Sequence, residues 1–162
     1  MARGARLTGL PPVIARDCRI LVLGSFPSVA SLAAGRYYAH PQNRFWTILG
    51  TCIGVDLTAL RYRDRLARVK AQRIGIWDAI ESCERAGSLD SAIVNARFND
   101  FAGVRRRVPG IERVCFNGRT SAKAEALLAG LGYATVILPS TSPANASQSM
   151  DIKLARWREA LA

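Results

Sequence analysis

The stretch CRILVLGSFP (Cys18–Pro27) decides the fold. Its apolar core, Ile20–Leu23, reads as a buried strand that stops at Gly24 or Ser25, with a turn at Phe26-Pro27. Downstream, NRFWTILGTCIG (Asn43–Gly54) places Phe45, Trp46, Ile48, Leu49 and Ile53 at helical spacing. LRYRDRLARVKAQR (Leu60–Arg73) continues as a basic amphipathic helix. Ile74–Trp77 suits a second strand ending at Asp78, and Asn99–Val108 a helix stopped by Pro109. ERVCFNG (Glu112–Gly118) is a third strand closed by an Asn-Gly turn. RTSAKAEALLAGLG is an Ala/Leu-rich helix with Gly130 or Gly132 as its stop. ATVILPS (Ala134–Ser140) is a fourth strand, and MDIKLARWREALA a closing helix with Ser149 as its N-cap.

Strand and helix in repeated alternation predict an α/β fold: a three-layer αβα sandwich around a central four-stranded parallel sheet, residues 1–162 forming one domain. In such sheets ligands bind beyond the carboxyl ends of the strands. Those ends are GSFPS (Gly24–Ser28), WDAI (Trp77–Ile80), FNGR (Phe116–Arg119) and LPSTSPAN (Leu138–Asn145), each small or polar where the apolar strand stops.

The chain has 162 residues, 49% hydrophobic and 22% charged, enough to bury a core. No apolar run is long enough for a membrane span, and MARGARLTGLPPV lacks the apolar stretch of a secretory signal, so a cytoplasmic location is expected. A formal charge of +11 points to a polyanionic partner, nucleic acid before acidic membrane. Arg61–Arg73 carries six cations against Asp64, and Arg105–Arg107 form a second cluster. Either cluster alone reads equally as a solvated helix face. Cys18, Cys52, Cys83 and Cys115 lie far apart with no C-x-x-C pair, which suits neither a zinc site nor a compact disulfide framework. His40 is the single histidine, which excludes a multi-histidine metal site. No metal and no cofactor is expected. The absence of G-x-G-x-x-G and Walker motifs argues against a nucleotide-binding protein unrelated to DNA.

Three segments, GSFPS, YYAHPQNRFW (Tyr37–Trp46) and PSTSPAN (Pro139–Asn145), occur in order on this frame. Together they resemble the uracil-DNA glycosylase superfamily, above all its mismatch-specific and hypoxanthine-DNA glycosylase branches. AHPQNRFW is the most specific of the three, being nearly identical to a string of the mismatch-specific branch. The resemblance implies an enzyme that rotates a deaminated base, uracil or hypoxanthine, out of DNA and hydrolyses its N-glycosidic bond. Charge on the leaving base must be stabilised and a water positioned, with no metal or coenzyme. DNA with a damaged base is then the partner, without a membrane, and a monomer is expected.

The resemblance also distributes roles. Gly24 and Ser25 would form one pocket wall, where a small side chain lets a base approach. Tyr38 falls where the family sets an aromatic ring against the base, although Tyr37 and Tyr38 also read as packing residues. Asp78 stands where relatives read the base edge; a turn or capping aspartate is the alternative. Asn117 offers an amide to the base, or simply begins the Asn-Gly turn. Ser140, Thr141, Ser142 and Pro143 match a loop that enters the minor groove and holds phosphates, with Ala144 as a small wedge and Asn145 beside it. Ser28 and His40 are further DNA-contact candidates; His40 reads equally as a turn cap.

Two positions depart from the family pattern. The residue two after the motif-one glycine, ordinarily a water-activating Asp or Asn, is Phe26, which cannot polarise water. Phe26 is expected to pack on the base or the pocket floor. The favoured reading moves the polar task to Asn43, by orienting water or bonding the base, unless Asn43 only caps the helix from Arg44; the alternative is a slow enzyme that relies on leaving-group stabilisation. The second-motif histidine of the family is replaced by Ser140. Lys70, Lys123 and Lys153 all fall on predicted helices, which argues against a Schiff-base lyase step. The other reading is a catalytically weak DNA-damage binder on the same fold.

Overall fold

The computed structural model describes residues 5–143 and 148–162. Two sheets organise them. In chain order the elements are β1 (Leu7–Thr8), β2 (Ile20–Gly24), α1 (Val29–Ala34), α2 (Phe45–Ile53), α3 (Tyr62–Ala71), β3 (Ile74–Asp78) and β4 (Ile80–Glu84). They continue with β5 (Val94–Phe98), α4 (Phe101–Arg107), β6 (Arg113–Asn117), α5 (Glu125–Gly130), β7 (Ala134–Leu138) and α6 (Met150–Leu161).

The larger sheet has the order β3-β2-β6-β7, every neighbouring pair parallel, and is flanked by helices. All residues of β2 and β3 are buried, which explains their uninterrupted apolar sequence. The strand order reverses at β2, with β3 on one side and β6 on the other. The crevice beyond the carboxyl ends of β2 and β6 is therefore the topological switch point where such sheets hold ligands. Register brings the strand ends level: Gly24 pairs with Asp78, Leu23 with Phe116, and Asn117 with Leu138.

The helices are set by local chemistry. Ser149 caps α6 by accepting from Ile152 N, and Asp100 caps α4 by accepting from Gly103 N at 2.9 Å. Gly54 closes α2 with φ +74°, a conformation few side chains tolerate. The basic helix α3 buries Val69 and lays Arg65 over the Trp46 ring, 5.4 Å from its centroid. The helix expected over Arg119–Gly132 divides into a 3-10 turn (Ser121–Ala124) and α5.

The second sheet, β1-β4-β5, is antiparallel and was not expected from the sequence. After β3 the chain crosses to it through the single residue Ala79, whose N–H donates to Gly24 O at 2.7 Å. Ile80 and Cys83 of β4 enclose Phe26 in a small apolar cluster separate from the main core. This sheet carries the chain from Asp78 around one side of the switch-point crevice.

Candidate active site

A cavity of about 440 Å³ occupies the switch point, within the size range of small-ligand sites. Its walls come from the ends of β2, β3 and β6, the loop before α2, the loop after β7, and the segment between β4 and β5. Of the residues singled out from the sequence, Gly24, Ser25, Phe26, Ser28, Tyr38, His40, Asn43, Asp78, Asn117, Ser140, Thr141, Ser142 and Pro143 all border it. Ala144 and Asn145 lie outside the described residues.

Gly24 is required by its neighbours. A Cβ on it would stand 2.5 Å from Asp78 Oδ1 and 2.8 Å from the Tyr38 hydroxyl. Glycine thus lets a carboxyl group and a phenol converge over the end of β2. Tyr38 holds φ +54°, and its ring stacks on Phe45 with centroids 3.8 Å apart. One face of the ring is consequently covered, and its hydroxyl end reaches the space above Gly24. Burial and the nearby Asp78 push the Tyr38 hydroxyl well above its usual value, so it remains protonated.

A network of side chains joins the loops. Asn117 Nδ2 donates to the Tyr38 hydroxyl at 3.3 Å and to Thr141 Oγ1 at 3.0 Å, while Asn117 Oδ1 accepts from Thr141 N at 3.0 Å. Thr141, 1% exposed, donates its own hydroxyl to Asn43 Oδ1 at 2.8 Å. The same oxygen accepts from Phe45 N at 2.9 Å, so Asn43 does hold the first turn of α2. With Oδ1 taken twice, the chemistry left to Asn43 is donation from its amide N–H groups, which make no hydrogen bond among the described residues.

Several expected contact residues are engaged locally. Ser28 Oγ accepts from Ser31 N and caps α1. His40 Nδ1 accepts from Gln42 N at 3.1 Å, the turn-capping alternative. Ser140 Oγ accepts from Ser142 N at 3.1 Å. Phe26, 6% exposed, packs against Ile80 and Cys83 and faces the Arg85 guanidinium 5.3 Å from the ring centroid.

Asp78 differs from all of these. It is 5% exposed, and its Oδ2 is buried without a hydrogen-bond partner among the described residues. Burial, reinforced by repulsion from Asp90 and opposed by Arg85, raises its carboxyl to about 7. Asp90 also borders the cavity and is held by Ser25 Oγ at 2.8 Å. Asp90, Ser88 and Leu89 form a wall that sequence reading missed. RAGSLDS (Arg85–Ser91) shows only turn composition, and the fastening of Val29 N to Ser88 Oγ at 2.9 Å exists only in three dimensions.

Among the described residues no group of three or more His, Cys, Asp or Glu could hold a metal ion, and no helix is long and apolar enough to cross a membrane.

A parallel sheet with a polar-edged cavity at its switch point defines an α/β ligand-site class, here in a strongly basic chain. The family follows from comparison. Residues 11–162 match the model of the uracil DNA glycosylase superfamily, and the chain belongs to that family of DNA glycosylases. It is 43% identical over 137 residues to a Methanosarcina acetivorans protein named hypoxanthine DNA glycosylase, covering 85% of this chain and 87% of the relative. A Methanosarcina barkeri protein of the same name is 40% identical over 152 residues, 94% of this chain and 96% of the relative. A solution NMR structure from M. acetivorans, described as a candidate uracil DNA glycosylase, superposes with a TM-score of 0.88 at 39% identity, covering 97% of both chains.

Proposed function

We propose that this chain is a monofunctional glycosylase that removes deaminated bases, hypoxanthine and uracil, from DNA after rotating the nucleotide into the switch-point cavity. The carrying observation is the group of polar functions left over at that cavity: the Asn43 amide N–H groups, the Tyr38 hydroxyl and the Asp78 carboxyl. Asn43 and Tyr38 are oriented by Thr141 and Asn117 and keep their N–H and O–H donors, while the Asp78 carboxyl has no hydrogen-bond partner for Oδ2 among the described residues. Two relatives at 40% and 43% identity carry the name hypoxanthine DNA glycosylase, which supports the purine.

In this reading Asn43 donates to a base oxygen or to the attacking water, and Thr141 and Asn117 position it. Asp78 meets the base edge. Phe26 floors the pocket and activates no water. Ser140, Ser142 and Pro143 border the strand that carries the lesion. The net charge of +11 draws the phosphate backbone, so binding weakens steeply with salt. Lys70, Lys123 and Lys153 do not border the cavity, which favours simple hydrolysis leaving an intact abasic site.

The test is incubation with oligonucleotides bearing inosine or uracil, then alkali. Strand breaks at the lesion are expected. Binding without cleavage of either substrate at excess enzyme would instead establish a damage-binding protein, the reading that Phe26 in the motif-one position favours.

A further inference from the structure

We infer that Asp78 is the proton donor to the departing base, its burial holding the proton and Asp90, on the wall of the same cavity, reinforcing it. The inference rests on the glycosylase reading and adds the chemistry of its leaving group. Three observations carry it. Asp78 borders the cavity while being 5% exposed, so its charged form is poorly solvated. Its Oδ2 has no hydrogen-bond partner among the described residues, although buried carboxylate oxygens ordinarily find one. None of the ion pairs among the described residues includes Asp78: the Arg85 guanidinium acts on it only from beyond ion-pair distance, with Nε and Nη2 taken by Gly87 O and Pro27 O and Nη1 buried without a partner among the described residues.

Burial is the main cause that favours the protonated form of Asp78, and of the charged groups facing it one reinforces burial and one opposes it. Asp90, from the segment after β4, repels its negative form; Tyr37 and Tyr38, from the loop before α2, are held protonated and add no positive charge. His40 borders the same cavity, and Arg85 is the one group named here that opposes protonation. The resulting value of about 7 matches the requirement for an acid catalyst working near neutrality. Ser25 holds Asp90 by a 2.8 Å hydrogen bond at the exposed rim of the cavity, so its repulsion is directed at the site but partly screened by solvent.

The step balances as follows. The bond from the sugar carbon C1′ to the base nitrogen breaks, and its electron pair leaves with the base. The Asp78 proton moves to a basic nitrogen or oxygen of that base, which departs neutral. Water oxygen bonds to C1′, and its surplus proton returns to the Asp78 carboxylate or to solvent. No oxidant or further reactant is needed.

The experiment is single-turnover excision from an inosine oligonucleotide between pH 5.5 and 9, for the wild type, Asp78→Asn and Asp90→Asn. A rate level below about pH 7 and falling tenfold per unit above it is expected for the wild type. Asp90→Asn should move that fall to lower pH, which titration of the substrate itself would not do. Asp78→Asn should lose about 10²–10⁴-fold at pH 6 and show no fall, while holding an uncleavable 2′-fluoro inosine analogue within a few-fold of wild type. Carboxyl NMR titration reads the same proton without catalysis: the Asp78 signal should titrate near 7 and shift down in Asp90→Asn. A flat wild-type profile, or a fall unmoved in both variants, overturns the assignment. Cleavage of neither inosine nor uracil at any pH overturns the glycosylase reading itself, and this inference with it.

Discussion

Thr141 Oγ1 donates to Asn43 Oδ1 across 98 positions of sequence, over 2.8 Å, and thereby ties the loop after β7 to the loop before α2. Arg44 N donates to Thr141 O at 3.1 Å in parallel, so the two loops are joined by side chain and backbone together. The consequence is directional. With its oxygen held from behind, the Asn43 amide is left with its N–H groups for chemistry.

Two substitutions at Asn43 separate its duties. Asn43→Asp keeps an oxygen for Phe45 N and Thr141 but removes the donors. It should fold normally and lose about 10²–10³-fold in single-turnover rate, the range for deleting one charge-stabilising donor. Asn43→Ala removes both and should also cost about 1 kcal/mol of stability through the lost cap. Parallel thermal melts and rate measurements check the pair. An Asn43→Asp variant as active as wild type would leave Asn43 a purely structural role.

Thr141→Val tests the link itself. The exchange preserves shape but strips a donor from Asn43 and an acceptor from Asn117, both part of one network. A stability loss of about 1–3 kcal/mol is expected from the unsatisfied amide groups. The rate should fall further than affinity for product DNA, because position and not contact is lost.

Gly24→Ala should disturb the site more than the fold. Its Cβ would meet Asp78 Oδ1 at 2.5 Å and the Tyr38 hydroxyl at 2.8 Å, both of them side-chain atoms of the pocket. Displacing two packed groups costs about 1–3 kcal/mol. Melting temperature and affinity for an uncleavable inosine analogue should both drop, with β2 pairing intact by amide exchange.

How far this was legible depends on what each residue answers to. CRILVLG reads correctly because β2 is buried on both faces, so its composition alone reports its environment. The strand ends are legible for the same reason: apolar residues stop where the sheet stops. β5 is exposed along its whole length and carries Asn and Arg, so no apolar alternation announces it. Asp90 was invisible as a site residue because its meaning is its approach to Asp78, made by the turn at Ala79 and the return through β4. Asn43 was legible as polar and as a cap for α2, but not as an amide whose oxygen is also engaged from 98 positions away by Thr141.

Asp78 should weaken the fold as pH rises. Its folded value of about 7 lies above the unfolded carboxylate range, so the unfolded chain releases this proton first. The associated stability is fully present below about pH 4 and is lost as pH climbs to about 7, where the loss levels off. Asp78→Asn abolishes that loss. The variant should melt higher than wild type at pH 8, by up to about 4 kcal/mol, with the gap closing toward pH 4. A functional group that costs stability where the enzyme works is the trade expected of an active site.

Phe26 offers the sharpest test of what the motif-one position does in this chain. If the motif-one position could simply be refilled, Phe26→Asn would restore a water-activating amide and raise the rate. The structure predicts the reverse. Phe26 is 6% exposed, packs on Ile80 and Cys83, and is faced by the Arg85 guanidinium, so its ring holds the second sheet against the end of β2. Removing it opens a cavity that costs about 3–5 kcal/mol, and the buried amide adds a desolvation cost. It would also loosen Arg85 and Asp90, the two charges that act on Asp78. Phe26→Asn should therefore melt lower and excise more slowly, while Phe26→Leu, which keeps most of the apolar volume, should retain much of both. Equal or faster excision by Phe26→Asn would show that this position still belongs to catalysis.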